Sequence, residues 1–311
     1  MMSARLLDGT AVANQIREEL RPAVAAFTAR FGRPPGLGLV LVGDDPASHV
    51  YVNSKLKSAK ETGVRADLEL LPATASLADV LSVVDRLNRS DVHDGILVQS
   101  PLPDAMGADA ERRVFDVVGP DKDVDGFHPV NVGKLVQNRG TLVACTPSGV
   151  IELLERSKIP IAGVRAVVIG RSDIVGKPVA LLLLHRHATV TICHSRTPNL
   201  PQVAAEADIL VSAIGRPGFV TADFVKPGAA VVDVGTTPVV DRAIVERLFP
   251  PGTKRFEAFE RRGQLVIGDV HPEVAGIAGA LSPVPGGVGP LTIAMLLKNT
   301  LRAAQERLQV R

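Results

Sequence analysis

The stretch Val164-Arg165-Ala166-Val167-Val168-Ile169-Gly170-Arg171-Ser172-Asp173-Ile174-Val175-Gly176-Lys177-Pro178 decides the fold. A short apolar run ends in a glycine turn and passes into an apolar helical stretch, the strand-turn-helix of an α/β unit that binds nucleotides. Glycine lets the backbone approach a pyrophosphate, and a helix N-terminus offers N–H donors and a positive dipole end. The spacing is not GxGxxG, so a plain glycine turn of another α/β protein is the competing reading. Further apolar runs at Thr189 to Cys193, Asp208 to Ser212 and Ala229 to Val234 continue the pattern as a parallel sheet.

A separate series precedes it. Leu37 to Val42 and Gly95 to Gln99 are apolar runs of the kind buried on both faces of a parallel sheet. Helical stretches lie between them, Pro46 to Thr62 stopped by Gly63 and Leu77 to Leu87 with apolar residues at helical spacing. The order is β-α-β-α-β, and the break falls near residue 145. The chain of 311 residues exceeds the size at which one core stops growing, about 250–300 residues. The class expected is therefore α/β with two α/β domains, the C-terminal one a Rossmann-like parallel sheet. Pro22 predicts a kink or early stop in the first helix. The charge-rich stretch from Arg242 to Arg262 reads as a surface elaboration, and a last helix is expected from Leu291 to Leu308.

Composition narrows the function. A hydrophobic content of 46% with 22% charged residues belongs to a folded interior, which excludes disorder. A net charge of +2 is too balanced for a protein that neutralises nucleic-acid phosphates, so no nucleic-acid partner is expected. Cys145 and Cys193 cannot make a disulfide framework and have no zinc-ligand spacing with the histidines, so no metal is expected. Met1 to Asp8 holds no apolar stretch of signal length, which points to the cytoplasm. The uncharged segment between Glu273 and Lys298 is broken by Pro283, Pro285, Pro290 and several glycines. It reads as loop then helix, not a membrane span.

After the next strand the chain reads Cys193-His194-Ser195-Arg196-Thr197, without the acid that would bind a ribose 2′-hydroxyl. Arg171, Ser195 and Arg196 offer cations and a hydroxyl suited to a 2′-phosphate, so NADP is expected over NAD. Solvated loop residues are the plainer alternative.

In the first series, Tyr51-Val52-Asn53-Ser54-Lys55 places the only tyrosine one helical turn from a lysine, so phenol and amine can share a face. A lysine that moves protons near neutrality needs its pKa lowered from about 10.4 by burial. A solvated helical pair would read the same. The spacing also suits a short-chain dehydrogenase, but there the nucleotide turn comes first, and here Tyr51 precedes Gly170. Gln99 ends a buried strand where open parallel sheets hold ligands, or it caps a loop. Asp121-Lys122-Asp123-Val124-Asp125-Gly126 resembles a calcium loop until its twelfth position, which is Val132 rather than Glu. Asp125 on its glycine turn could instead accept hydrogen bonds from a heterocycle. Pro283 to Thr292, with Gly286 and Gly287, could form a rigid wall against a flat ligand, or a plain connector.

Together these segments resemble the bifunctional methylenetetrahydrofolate dehydrogenase/cyclohydrolase family. The carriers are VGDDPASHVYVNSKLKSAKETGV from 42, DGILVQSPLP from 94, DKDVDGFHPVNVGKL from 121, CTPSGVIELL from 145, GRSDIVGKPVALLL from 170, CHSRT from 193, ADILVSAIGRPGFV from 207 and PVPGGVGPLTIAMLL from 283. The resemblance implies NADP-dependent oxidation of methylenetetrahydrofolate and hydrolysis of the methenyl product to formyltetrahydrofolate, in one-carbon metabolism. It implies that Lys55 transfers protons in the hydrolysis, that Gln99 tunes it, that Tyr51 orients the folate and that Asp125 anchors the pterin. Pro283, Gly286 and Gly287 would line the substrate. Gly170, Arg171, Ser172, Ser195, Arg196 and Thr236 would contact the cofactor. It further implies a homodimer with a cofactor cleft between two domains, residues 1–145 with 287–311 and residues 146–286.

Three departures stand out. Ser100 replaces a usual leucine, Thr236 replaces a usual aliphatic residue, and residues 236–263 are longer than expected. The rival functions are an NADP-dependent dehydrogenase of another small substrate and a folate- or nucleotide-binding protein without turnover.

Overall fold

The computed structural model describes residues 4–140 and 142–309; Met1 to Ser3, part of the segment read for a signal, lie outside them. The chain forms two compact units. The Lys55 unit comprises Ala13–Cys145 with the chain from Thr292, and the Gly170 unit comprises the chain through Val12 with Thr146–Leu291.

In the Lys55 unit, Gly36–Val42 is the middle strand of a parallel three-stranded sheet, flanked by Arg65–Leu71 and Gly95–Val98. Every residue of Gly36–Val42 is buried, as its unbroken apolar run requires. The helix Pro46–Thr62 has local reasons for both its ends. Asp45 accepts from the Ser48 N–H, Pro46 fills the first turn, and Gly63 at φ +83 ends it in the left-handed conformation. Leu77–Arg89 begins with a reciprocal capping box between Ser76 and Asp79. It packs Val80, Val84 and Leu87 against Val40, Val42, Ile96 and Val98 in one apolar cluster.

The Gly170 unit holds an all-parallel six-stranded sheet. Its order is Arg5–Leu6, Ala280–Leu281, Ala230–Asp233, Ile209–Ser212, Arg165–Ile169 and Thr189–Cys193. Val167, Ile169, Leu210 and Val231 anchor the core on that sheet. The chain start differs from the expected division, which gave residues 1–145 to the folate domain. Arg5–Leu6 pairs in parallel with Ala280–Leu281, through Arg5 N to Gly279 O at 2.9 Å and Leu7 N to Leu281 O at 2.9 Å. Two residues are too few to show a strand period, so only the pairing reveals this edge.

Three local expectations are corrected. The first helix, Gly9–Phe31, runs through Pro22 instead of stopping. Proline forfeits one intrahelical bond there, but Ile16 and Leu20 before it and Val24 and Phe27 after it are buried, and the Arg21 guanidinium donates to Glu61 O at 3.1 Å. The last helix starts at Val288 rather than Leu291, because Pro290 sits in a first turn whose N–H groups need no helical partner. The stretch from Arg242 to Arg262 is more than surface. An antiparallel ribbon, Thr237–Val239 with Leu265–Ile267, and the helices Arg242–Leu248 and Lys254–Arg262 enclose a small core of Val239, Val245, Leu248, Phe256, Phe259, Leu265 and Ile267. No described helix is long and apolar enough to cross a membrane.

Candidate active site

Tyr51 and Lys55 lie one turn apart on Pro46–Thr62. Lys55 is only 5% exposed, whereas Tyr51 is 37% exposed, and the Lys55 nitrogen stands 5.7 Å from the centre of the tyrosine ring. The Lys55 Nζ donates to Gln99 Oε1 at 2.8 Å. Gln99 follows the strand Gly95–Val98, and its backbone N–H donates to Val40 O at 2.8 Å. Its side-chain Nε2 donates to Ser100 O at 2.5 Å, which turns the amide so that only the oxygen faces the lysine. Burial lowers the Lys55 pKa from its ordinary value, against the opposing charge of Asp125.

The Asp125 loop is drawn alongside that strand, with Ile96 N donating to Lys122 O at 2.8 Å. The buried Asp123 carboxylate holds it, accepting from Gly126 N at 3.0 Å, Phe127 N at 3.2 Å, His128 N at 2.8 Å and Asn131 Nδ2 at 2.9 Å. Gly126 has φ +76, and a Cβ there would lie 2.3 Å from Ala144 N, so the turn admits only glycine. Burial and the Asp123 charge push the Asp125 carboxyl up to about 6, opposed by Lys55 and by the Cys145 thiol hydrogen-bonded to it. Asn299 braces the same place, donating to Val124 O at 2.8 Å and Val143 O at 2.9 Å. The Lys55 unit thus joins a desolvated amine, a neutral amide acceptor, an aromatic ring and a carboxyl. That set can move a proton and grip a flat heterocycle.

In the Gly170 unit the turn is tightly built. Gly170 has φ +124 with a would-be Cβ 2.3 Å from Ala213 O, and a Cβ on Gly176 would fall 2.4 Å from Gly170 O. The Ser172 hydroxyl accepts from Val175 N and Gly176 N, both at 3.2 Å, and Lys177 N donates to Ser172 O at 3.1 Å. The first N–H groups of the helix Gly176–His185 are therefore already satisfied. Among the described residues, the backbone N–H groups of Arg171 through Ile174 make no hydrogen bond, so the turn itself, rather than the helix end, presents donors to an anion. Ser195 and Arg196 are exposed on a turn closed by His194 N to Thr197 Oγ1 at 2.9 Å. Thr236 is exposed just beyond Ala230–Asp233. Free turn donors, exposed cations and glycines with no room for a side chain fit a dinucleotide with a 2′-phosphate. Pro283, Gly286 and Gly287 also belong to this unit. Thr10 N donates to Gly286 O at 3.0 Å, and a Cβ on Gly9 would meet Gly287 O at 1.7 Å.

Sequence reasoning missed two features of this unit. One is a pair of buried carboxylates, Asp233 and Asp269, whose only sequence signal is an acid closing an apolar strand. The other is a pocket of about 520 Å³ beside Arg216, Phe219, Arg247 and His271, for which the sequence held no signal because its sides come from separate segments.

Residues 7–125 match the family described as "Tetrahydrofolate dehydrogenase/cyclohydrolase, catalytic domain", and residues 144–308 match its "NAD(P)-binding domain". The chain is 53% identical to the Bifunctional protein FolD of Koribacter versatilis, over 98% of each chain. It is 54% identical to that of Solibacter usitatus, over 97% of this chain and 98% of the relative. A solved structure from Trypanosoma brucei, N5,N10-methylenetetrahydrofolate dehydrogenase-cyclohydrolase complexed with NADP cofactor and inhibitor, superposes with a TM-score of 0.88 at 41% identity. The superposition covers 99% of this chain and all of that one.

Proposed function

The chain belongs to the tetrahydrofolate dehydrogenase/cyclohydrolase family, and from that premise we infer that it oxidises 5,10-methylenetetrahydrofolate to 5,10-methenyltetrahydrofolate with NADP and hydrolyses the product to 10-formyltetrahydrofolate. NADP, when bound, accepts the hydride that leaves the methylene carbon. The protein's part is to hold the folate, exclude stray water and manage protons.

The buried amine of Lys55, hydrogen-bonded to a neutral amide oxygen, is the observation that carries the reading. In hydrolysis, water adds to the methenyl carbon and its proton passes to neutral Lys55. The bond from that carbon to N5 then breaks as the new hydroxyl gives up its proton to become the formyl C=O on N10, so that of water's two protons one ends on N5 and the other is released to solvent, leaving Lys55 neutral again. The methenyl cation favours the uncharged amine, reinforcing the effect of burial. Gln99 holds Lys55 without adding charge, and Tyr51 offers a ring face to orient the folate. Asp125 accepts the N–H and amino protons of the pterin, and Pro283, Gly286 and Gly287 supply a rigid wall for a flat ring. Gly170, Arg171 and Ser172 receive the pyrophosphate, Ser195 and Arg196 the 2′-phosphate, and Thr236 contacts the cofactor through backbone.

The proposal includes a homodimer working in the cytoplasm, and the two buried, unpaired thiols suit a reducing compartment. Sedimentation of the purified chain tests the dimer. The decisive assay follows NADP and NAD reduction in parallel with methylenetetrahydrofolate, then hydrolysis of the methenyl compound. Reduction of NADP only with some other small substrate would favour the rival dehydrogenase.

A further inference from the structure

We propose that Asp269 is the positioning residue of the cofactor wall, acting with Asp233 to set the loops that leave two neighbouring strands. Asp269 is fully buried. Its Oδ2 accepts from Ser212 Oγ at 3.1 Å and Ile214 N at 2.8 Å, and its Oδ1 accepts from Arg216 N at 2.7 Å. One carboxylate therefore wraps the whole loop that follows Ile209–Ser212. Its own backbone N–H donates to Asp233 Oδ1 at 2.9 Å, and Asp233 also accepts from Gly235 N at 3.0 Å and Val270 N at 2.9 Å. Asp233 thus ties the segment bearing Asp269 to the turn that leads into Thr236.

The held loop reaches the nucleotide turn. Ala213, between two residues that Asp269 binds, donates its N–H to Ile169 O at 2.8 Å, and its carbonyl oxygen blocks any Cβ on Gly170. Gly235 is pressed so close to Asp269 that a Cβ would lie 2.5 Å from Oδ1. These loops leave the C-terminal ends of parallel strands, where an open α/β sheet receives its ligand. Hydrogen bonds from backbone N–H groups to a carboxylate are roughly twice as strong as those to a neutral acceptor, so they hold such loops more firmly than neutral acceptors would. Asp269 acts through Ile214, Ala213 and Gly235, without touching cofactor itself.

The inference rests on the reading of this unit as the NADP site, and one experiment separates the two. Wild-type enzyme, Asp269→Asn and Ser212→Ala are compared for NADP binding by fluorescence, NADP KM in the dehydrogenase reaction, and methenyl hydrolysis, which consumes no cofactor. Asp269→Asn should raise the NADP KM about tenfold, the effect of losing one hydrogen bond to a charged group, with hydrolysis within about twofold of wild type. Ser212→Ala, which removes a single donor, should raise it about threefold. An unchanged NADP KM in both variants overturns the inference, as does a parallel loss of both activities. Should Asp269→Asn fail to fold, Ser212→Ala decides alone, an unchanged KM overturning the inference. Wild-type protein that neither binds nor reduces NADP would instead refute the cofactor reading.

Discussion

Lys55 donates to Gln99 across 2.8 Å, and Gln99 is held in the receptive orientation by its own bond to Ser100 O. The acceptor is the uncharged oxygen of an amide, turned toward the lysine by that second bond. A neutral acceptor lets burial keep the lysine pKa down, whereas a carboxylate at the same place would hold the proton on. Gln99→Glu should accordingly move the pH dependence of methenyl hydrolysis to higher pH, since neutral Lys55 would then form only at higher pH. A profile that stays in place would remove Gln99 from the tuning role.

Lys55→Met keeps an apolar stem in the buried site and deletes the amine. Hydrolysis of the methenyl compound should fall by about 10²–10⁴-fold, the usual worth of a general base, with NADP reduction falling much less. Full hydrolysis in this variant would refute the assignment.

Asp125, raised to about 6 by burial, loses its negative charge as pH falls through that value. The KM for the folate should therefore rise below pH 6, and Asp125→Asn should abolish that limb. The sign for stability is opposite to that of a salt-bridged acid. A raised folded-state pKa favours the folded form below the unfolded value, and this contribution is lost as pH climbs through about 6. Thermal melts from pH 4 to 7 should show a slope that Asp125→Asn reduces.

Arg196→Glu reverses a charge on the exposed turn where a 2′-phosphate would sit. The KM for NADP should rise by about tenfold or more while that for NAD changes little. An unchanged NADP to NAD preference measured at fixed ionic strength would exclude Arg196 from the site.

The small core of residues 239–267 should matter for stability more than for chemistry. Phe259, buried against Phe256 with ring centres 6.4 Å apart, has no replacement contact in so small a cluster. Phe259→Ala should cost about 3 kcal/mol, seen as a lower melting temperature, with hydrolysis intact at low temperature. A melting temperature equal to that of wild type would show that the cluster packs loosely.

What the sequence determined by itself was local. Several strands and helices could be read from apolar runs and periods and from a stop signal such as Gly63, because these act within a few residues. The shared face of Tyr51 and Lys55 follows from helical geometry alone. The tertiary structure decided everything that depends on burial or on partners far along the chain. It sank Lys55 against Gln99, carried the helix past Pro22 on buried neighbours, and gave Arg5–Leu6 to the six-stranded sheet through a partner near residue 280. It also satisfied the Val175 and Gly176 N–H groups at the start of the helix Gly176–His185 through the Ser172 hydroxyl, and joined Asp233 to Asp269. A side chain's spacing records which way it points along its own element, but its pKa and its anchoring power come from desolvation and from donors that only packing brings near.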